Sequence, residues 1–354
     1  MKDHQRQIQL RLLFVLMMAS CQTATVQAGE LTQRLILLGD AGYSEISPLE
    51  PTLQLAADLA SQIPTKTATL FLGDNIYKTG FPVLKEKQTT FNSQQLKEIS
   101  YLTAQLQVAK LSTSRLYLLP GNHDWKPKQV DDQAAYIAKY AQQQKLQAHF
   151  VPYSAGHDPL PEIVTLEGVS ILFLDSSWML QGDGKNLSLA LSRLKTLINH
   201  SRSVNPNNLL LIASHHPIES LGAHAGYRHA DKRDPSSPII RKDKTGKGNL
   251  ADPGYQQMIA GLQETVAGME RVIFAAGHDH SLQVFESTES PMKRFHLVSG
   301  AANKQKISAV GDAPNRLYGR AATGLMVIDI ETDRINLKVY TTETKSIEFE
   351  KELW

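Results

Sequence analysis

The stretch Ala68-Thr69-Leu70-Phe71-Leu72-Gly73-Asp74-Asn75-Ile76-Tyr77 decides how this chain is read. Residues 68–72 predict a short buried strand, and Gly73-Asp74 ends it in a polar turn. The same arrangement recurs four times. Gly39-Asp40-Ala41-Gly42 follows a predicted strand at 34–38, and Gly121-Asn122-His123-Asp124 follows one at 115–119. Ser214-His215-His216-Pro217 follows 209–213, and Gly277-His278-Asp279-His280 follows 272–276. Strands of continuous apolar residues are those covered on both faces. Polar motifs at the ends of successive strands collect Asp, Asn, His and Tyr at the carboxyl edge of a parallel sheet, where α/β folds bind their ligands.

Between these strands the apolar spacing predicts helices at 48–63, 93–111, 131–147, 187–200 and 256–267. A hairpin is predicted for 163–166 and 170–174, turning at Glu167-Gly168. The stretch 225–254 is rich in Gly, Pro, Lys, Arg and Asp and reads as a long surface loop. After it, 283–286, 295–299, 325–330 and 335–340 alternate with period two, which predicts half-exposed strands. No linker interrupts the chain after residue 30, so 30–354 is expected to form a single catalytic domain.

Of 354 residues, 42% are hydrophobic and 20% charged, an ordinary balance with ample material for a core. A net charge of +2 gives no case for binding nucleic acid. The N-terminus has its own pattern. Lys2, Arg6 and Arg11 precede the apolar run 12–19, and no further charge appears until Glu30. This predicts a bacterial-type export signal over residues 1–28, whose apolar run is too short to span a bilayer. Cys21, directly after Met18-Ala19-Ser20, stands where a lipobox carries its lipidated cysteine. The alternative is ordinary cleavage after Val26-Gln27-Ala28. The expected location is periplasmic or outer-membrane lipoprotein, or secreted, with membrane contact only through a lipid on Cys21. As the only cysteine, Cys21 leaves no internal disulfide.

Each motif has a bland reading and a chemical one. A Gly-Asp at a strand end is often a turn or cap, but Asp40 and Asp74 on consecutive strands favour a shared site. A carboxylate can bridge two cations roughly 3.5–4 Å apart. Asn122 offers a neutral carbonyl oxygen, and His123 beside it can donate a hydrogen bond. Adjacent residues in extended backbone face opposite sides, so His215 is taken as the ligand and His216 as structural. A turn at His278-Asp279-His280 would aim both imidazoles inward, each to a different metal.

In type and order the five motifs resemble those of the calcineurin-like metallophosphoesterases. Tyr77, three residues after Asp74, makes the chain similar to the purple acid phosphatases, especially the small, tartrate-resistant type. The resemblance runs from about Gln33 to the C-terminus and includes Val298-Ser299-Gly300-Ala301-Ala302-Asn303. It implies a four-layer α/β/β/α metallophosphoesterase sandwich. It implies a ferric site held by Asp40, Asp74, Tyr77 and His280, and a divalent site (Fe, Zn or Mn) held by Asp74, Asn122, His215 and His278. It gives His123 a phosphate-contacting role and His224, nine residues after His215, a place beside the leaving group. The implied activity is that of a monomeric acid phosphatase acting on small phosphomonoesters by in-line attack of a metal-bound hydroxide. Alternatives are a Mn or Zn phosphodiesterase or nucleotide hydrolase in which Tyr77 is no ligand, and a non-enzymatic surface lipoprotein with a vestigial site. His216 replaces a bulkier aromatic of the family, and the 225–254 stretch has no obvious counterpart there.

Overall fold

The structure is a computed structural model that describes residues 29–83, 88–125, 129–153, 157–231, 233–234, 236–242, 244–287 and 292–354. The expected export signal over 1–28, with Cys21, lies outside the described residues. The chain divides into Met1–Glu30 and Leu31–Trp354, and the fold below is that of the second unit.

The first half alternates strand and helix: β1 (Leu31–Leu38), α1 (Pro51–Ser61), β2 (Thr67–Phe71), α2 (Ser93–Ser112), β3 (Arg115–Leu118), α3 (Val130–Gln144) and β4 (Ala148–Phe150). The hairpin β5 (Glu162–Leu166) and β6 (Val169–Phe173) leads to α4 (Ser176–Met179), α5 (Lys185–Val204) and β7 (Leu209–Ala213). A small hairpin, β8 (Tyr227–His229) and β9 (Ile239–Arg241), precedes α6 (Pro253–Thr265) and β10 (Val272–Ala276). The chain ends in β11 (Leu282–Glu286), β12 (Arg294–Ser299), β13 (Arg316–Arg320), β14 (Gly324–Glu331), β15 (Ile335–Thr341) and β16 (Ile347–Glu352). Helix starts carry local signals. Asn92 and Gln95 form a reciprocal capping box on α2, and Asp252 caps α6 ahead of Pro253.

Two seven-stranded sheets result, ordered β16-β15-β14-β1-β2-β3-β4 and β13-β11-β12-β10-β7-β6-β5. In the first, β1 to β4 run parallel. In the second, β6, β7, β10 and β12 run parallel. Alternate residues of the central strands serve different layers. Leu35, Leu37, Leu209 and Leu211 fill the core between the sheets. Ile36 and Leu38 pack outward with Leu53, Leu102 and Ile137 of α1, α2 and α3. Leu210 and Ile212 pack outward with Leu194, Ile198 and Met258 of α5 and α6. The order of layers is therefore α/β/β/α, and truncating one of these leucines to Ala would cost about 2–5 kcal/mol.

Two expectations need correction. Strands β11, β12 and β14 are buried on both faces nearly throughout, and only β15 keeps the alternating pattern of a half-exposed strand. The cause is packing: Met326 and Ile328 of β14 face the other sheet while Leu325 and Val327 face the helices, and in β12 Phe295 and Leu297 face the inter-sheet core while Val298 packs with Leu221 and Val310. The 225–254 stretch contains a hairpin and the start of α6. Its return limb packs inward, where Leu250 N donates to the His224 carbonyl at 3.0 Å.

Candidate metal centre

Three of the residues at strand ends stand in the left-handed backbone region: Asp40 (φ 62°), Asp74 (φ 54°) and His278 (φ 68°). Each directly follows a glycine. Such a conformation costs a residue with a side chain roughly 1–2 kcal/mol, and strain of this kind clusters where function requires it. Local hydrogen bonds hold it. Asp40 N donates to Gly73 O at 3.0 Å, and Asp40 Oδ2 accepts from His278 N at 2.8 Å. Asp74 Oδ1 accepts from His123 N at 2.9 Å. A side chain on Gly121 would lie 2.2 Å from Asp74 N, so only glycine lets the third strand end approach the second.

The seven residues expected to hold metal come together in two groups. In the first, the Tyr77 hydroxyl lies 2.7 Å from Asp40 Oδ1 and 3.2 Å from His280 Nε2, and His280 Nε2 is 3.3 Å from Asp40 Oδ1. In the second, His215 Nε2 lies 3.0 Å from Asn122 Oδ1, 3.2 Å from His278 Nδ1 and 3.4 Å from Asp74 Oδ1. The groups adjoin, since ligand atoms of Asp40, Asp74 and His215 all fall within 4.8 Å of one another. The turn at His278 answers the question of direction: both His278 and His280 face the centre.

The donor set fits metal ions. Asp40 and Asp74 are buried, and among the described residues neither pairs with a lysine or arginine. Buried carboxylates need a cation or dense hydrogen bonding. The imidazoles show where one belongs. His278 Nε2 lies 2.6 Å from the Gly248 carbonyl, which only accepts, so its Nδ1 is a lone pair facing His215 Nε2, which in turn faces Asn122 Oδ1. Converging acceptors in a buried space are the signature of a cation position. Carboxylate, imidazole, amide oxygen and phenol together suit Fe, Zn or Mn.

Charge and burial within the cluster shift its own titratable groups. Burial pushes the His215 pKa down, but Asp74 and Asp40 outweigh it and the net shift is upward. Asp40 does the same for His280. Burial, then the charges of Asp40 and Asp74, holds the Tyr77 phenol well above its usual range. A metal ion would displace these protons. Burial and neighbouring imidazoles hold His278 and His216 well below the usual histidine range. His216 belongs to the scaffold: its Nδ1 meets the Ser176 hydroxyl at 2.9 Å and its ring packs edge-on to Tyr255.

The two expected catalytic histidines lie beside the groups. The His123 ring packs edge-on to Tyr77 at 4.7 Å, with Nδ1 2.7 Å from the Lys78 carbonyl. The His224 ring lies 3.8 Å from that of His278, centroid to centroid.

Two acids had no role in the sequence reading. Asp124 is fully buried and accepts from the backbone N–H groups of Gly121, Asn75 and Ile76 and from the Asn75 side chain. Burial, and then the charge of Asp74, pushes its pKa up to about 7. It ties the Asp74 turn to the Asn122 turn. Asp279 accepts from His224 N at 2.8 Å and from the Ser220 hydroxyl, fixing the segment that carries His224. Both stand inside motifs, and that position was the available signal.

A family model described as calcineurin-like phosphoesterase matches residues 34–247. A search of curated proteins found no match. Among solved structures, the fold is similar to GAP50, "the anchor in the inner membrane complex of Plasmodium", at TM-score 0.55 and 13% identity, covering 92% of this chain and 89% of that one. It is similar to the purple acid phosphatase PPD1 of yellow lupin (Lupinus luteus) seeds at TM-score 0.58 and 11% identity, covering 91% of this chain and 54% of that one. It is also similar to PhoD at TM-score 0.53 and 13% identity, covering 92% and 69%. These likenesses are of fold, while the family model spans most of the sandwich and all of the first four motifs. The chain belongs to the calcineurin-like phosphoesterase family.

Proposed function

We propose that the protein is a purple-type acid phosphatase, hydrolysing phosphomonoesters at a centre of Fe(III) and a divalent metal. One observation carries this reading: the Tyr77 hydroxyl sits within 2.7 Å of Asp40 and 3.2 Å of His280, inside the first group of donors. A phenol there offers a hard oxygen ligand, which favours trivalent iron. Asp40, Asp74, Tyr77 and His280 would hold the ferric ion, and Asp74, Asn122, His215 and His278 the divalent one. Such a pair, when bound, lowers the pKa of coordinated water toward about 7 and neutralises phosphate charge.

The rest falls to the chain's own side chains. His123, steadied through Nδ1 by Lys78, is left with Nε2 to contact the phosphate. His224 gives its proton to the departing oxygen. Burial lowers its pKa, which makes the protonated ring a stronger acid. Asp279 holds His224 in place from the backbone side. Residues 1–28 would export the protein, with Cys21 as its lipid anchor.

The test is to purify the mature protein aerobically, quantify its metals, record its visible spectrum, and compare phosphomonoesters with diesters. Iron, a pink to violet colour and a preference for monoesters are expected. A colourless Mn or Zn enzyme that prefers diesters or nucleotides would overturn the reading.

A further inference from the structure

Beside the metal centre lies a cavity of about 140 Å³ whose lining includes His224, Tyr227, Arg241, Lys244 and Leu250. One wall is the His224 ring, 3.8 Å from the candidate ligand His278. The cavity is therefore about one imidazole away from the centre, on the side assigned to the leaving group.

The outer wall is basic, and the fold fixes it there. Arg241 pairs in register with Tyr227 across the β8–β9 hairpin, and its guanidinium carbon lies 5.7 Å from the Tyr227 ring centroid. Lys242 N donates to Gly226 O at 2.9 Å, and Leu250 N to His224 O at 3.0 Å, so the segment is tied down on both sides of Lys244. Residues 225–254 hold seven Lys and Arg against four Asp, in a chain whose whole net charge is +2. The excess positive charge is thus concentrated in the segment that closes over the site.

The His224 wall carries an unpaired polar atom. His224 Nδ1 is buried and has no hydrogen-bond partner among the described residues. Buried polar atoms are nearly always paired, and one that is not calls for a partner the protein lacks.

We propose that the 225–254 segment builds a second anion subsite, so that the protein prefers phosphoesters whose leaving group carries a further carboxylate or phosphate. An anion in this cavity meets the Arg241 and Lys244 cations and sits against the ring of His224. The surplus charge of 225–254 then serves recognition. This inference rests on the phosphoesterase reading of the metal centre, and binding tests it without turnover.

The probes are 3-phosphonopropionate and propylphosphonate, neither of which can be hydrolysed; they differ in one carboxylate. Calorimetric titration of the metal-loaded wild-type protein should show the carboxylate form binding roughly tenfold tighter, the scale of a charge-assisted contact. In R241Q/K244Q, with metal content measured, that ratio should fall to about one. K242Q removes one positive charge from the same segment, outside the cavity, and should keep the ratio. Equal affinities in the wild type, a ratio that survives R241Q/K244Q, or an equal collapse in K242Q would each overturn the subsite. A protein that keeps the ratio but prefers diesters would retain the subsite and lose the acid phosphatase reading.

Discussion

Nδ1 of His215 lies 2.8 Å from the carbonyl oxygen of Leu72. A carbonyl only accepts, so Nδ1 carries the proton and Nε2 turns toward Asn122 and Asp74. His215 follows β7 in one sheet and Leu72 follows β2 in the other. The sandwich itself therefore selects the tautomer of this candidate ligand, a task that falls to outer-shell hydrogen bonds in metal sites generally.

Tyr77→Phe should bleach the protein. The phenol oxygen is the only donor removed, and the ring is fully buried, so the fold keeps its packing. The visible spectrum and iron content are read together. A colourless wild type with a full complement of iron would sink the assignment.

Asp74→Asn should lose more metal and activity than Asp40→Asn. Asp74 faces His215 at 3.4 Å, and its ligand atom lies within 4.8 Å of one from Asp40, so it borders both groups of donors. Metal analysis of the two variants decides the point, and two metals per chain in Asp74→Asn would count against a bridging role.

His224→Ala should keep both metals and lose on the order of 10²-fold in turnover. The loss should be greater on an alkyl phosphate than on an activated aryl phosphate, because the poorer leaving group needs the proton more. An equal loss on both would make His224 a positioning residue. Loss of a metal would show that it belongs among the ligands.

Asp329 gives a pH-dependent contribution to stability. It accepts from Arg34 at 2.7 and 3.1 Å and from Lys338 at 2.9 Å, joining β14 to β1 and β15. Burial pushes its pKa up, but the two cations outweigh this and hold it below the usual 3.8. With the folded value depressed, the contribution is present above an unfolded value of about 3.9. It is lost as pH falls through the lower folded value. Asp329→Asn should cost about 2 kcal/mol at pH 7, read as a lower Tm. The gap from wild type should shrink below about pH 4; a gap of the same size at pH 3 and pH 7 would show that charge is not its source.

Cys21→Ser should release the protein from membranes if Cys21 bears a lipid. Fractionation of wild type and variant checks this. A soluble wild type beginning at Gly29 would favour cleavage after Ala28.

What was legible in the sequence was local. Residues 209–213 read as a strand covered on both faces because neither face has a polar residue, and β7 is buried throughout. Residues 325–330 and 295–299 misled for the converse reason. Their pattern was taken for half-exposure, but helices cover Leu325 and Val327 of β14, and Leu221 and Val310 cover Val298 of β12, which no residue within either segment announces. β13 and β16 escaped notice because Arg316–Arg320 and Ile347–Glu352 are partly or fully exposed, with no apolar run to mark them. Asp124 could be seen beside His123, but its four donors come from two separate turns.

The sequence by itself determined the donor types and their order, because Gly-Asp, Asn-His, His-His and His-Asp-His each follow a strand within a few residues. Strand ends place side chains at a sheet edge by local geometry alone. Only the tertiary structure decided which donors meet: Tyr77 with Asp40 and His280, His215 with Asn122 and His278. Those meetings depend on two sheets closing over a shared core, a long-range event. It also decided that 225–254 folds back to Gly248 and Leu250 against His278 and His224. A polar, Gly-rich stretch carries no hydrophobic period to predict where it lands; hydrogen bonds to the finished site hold it there.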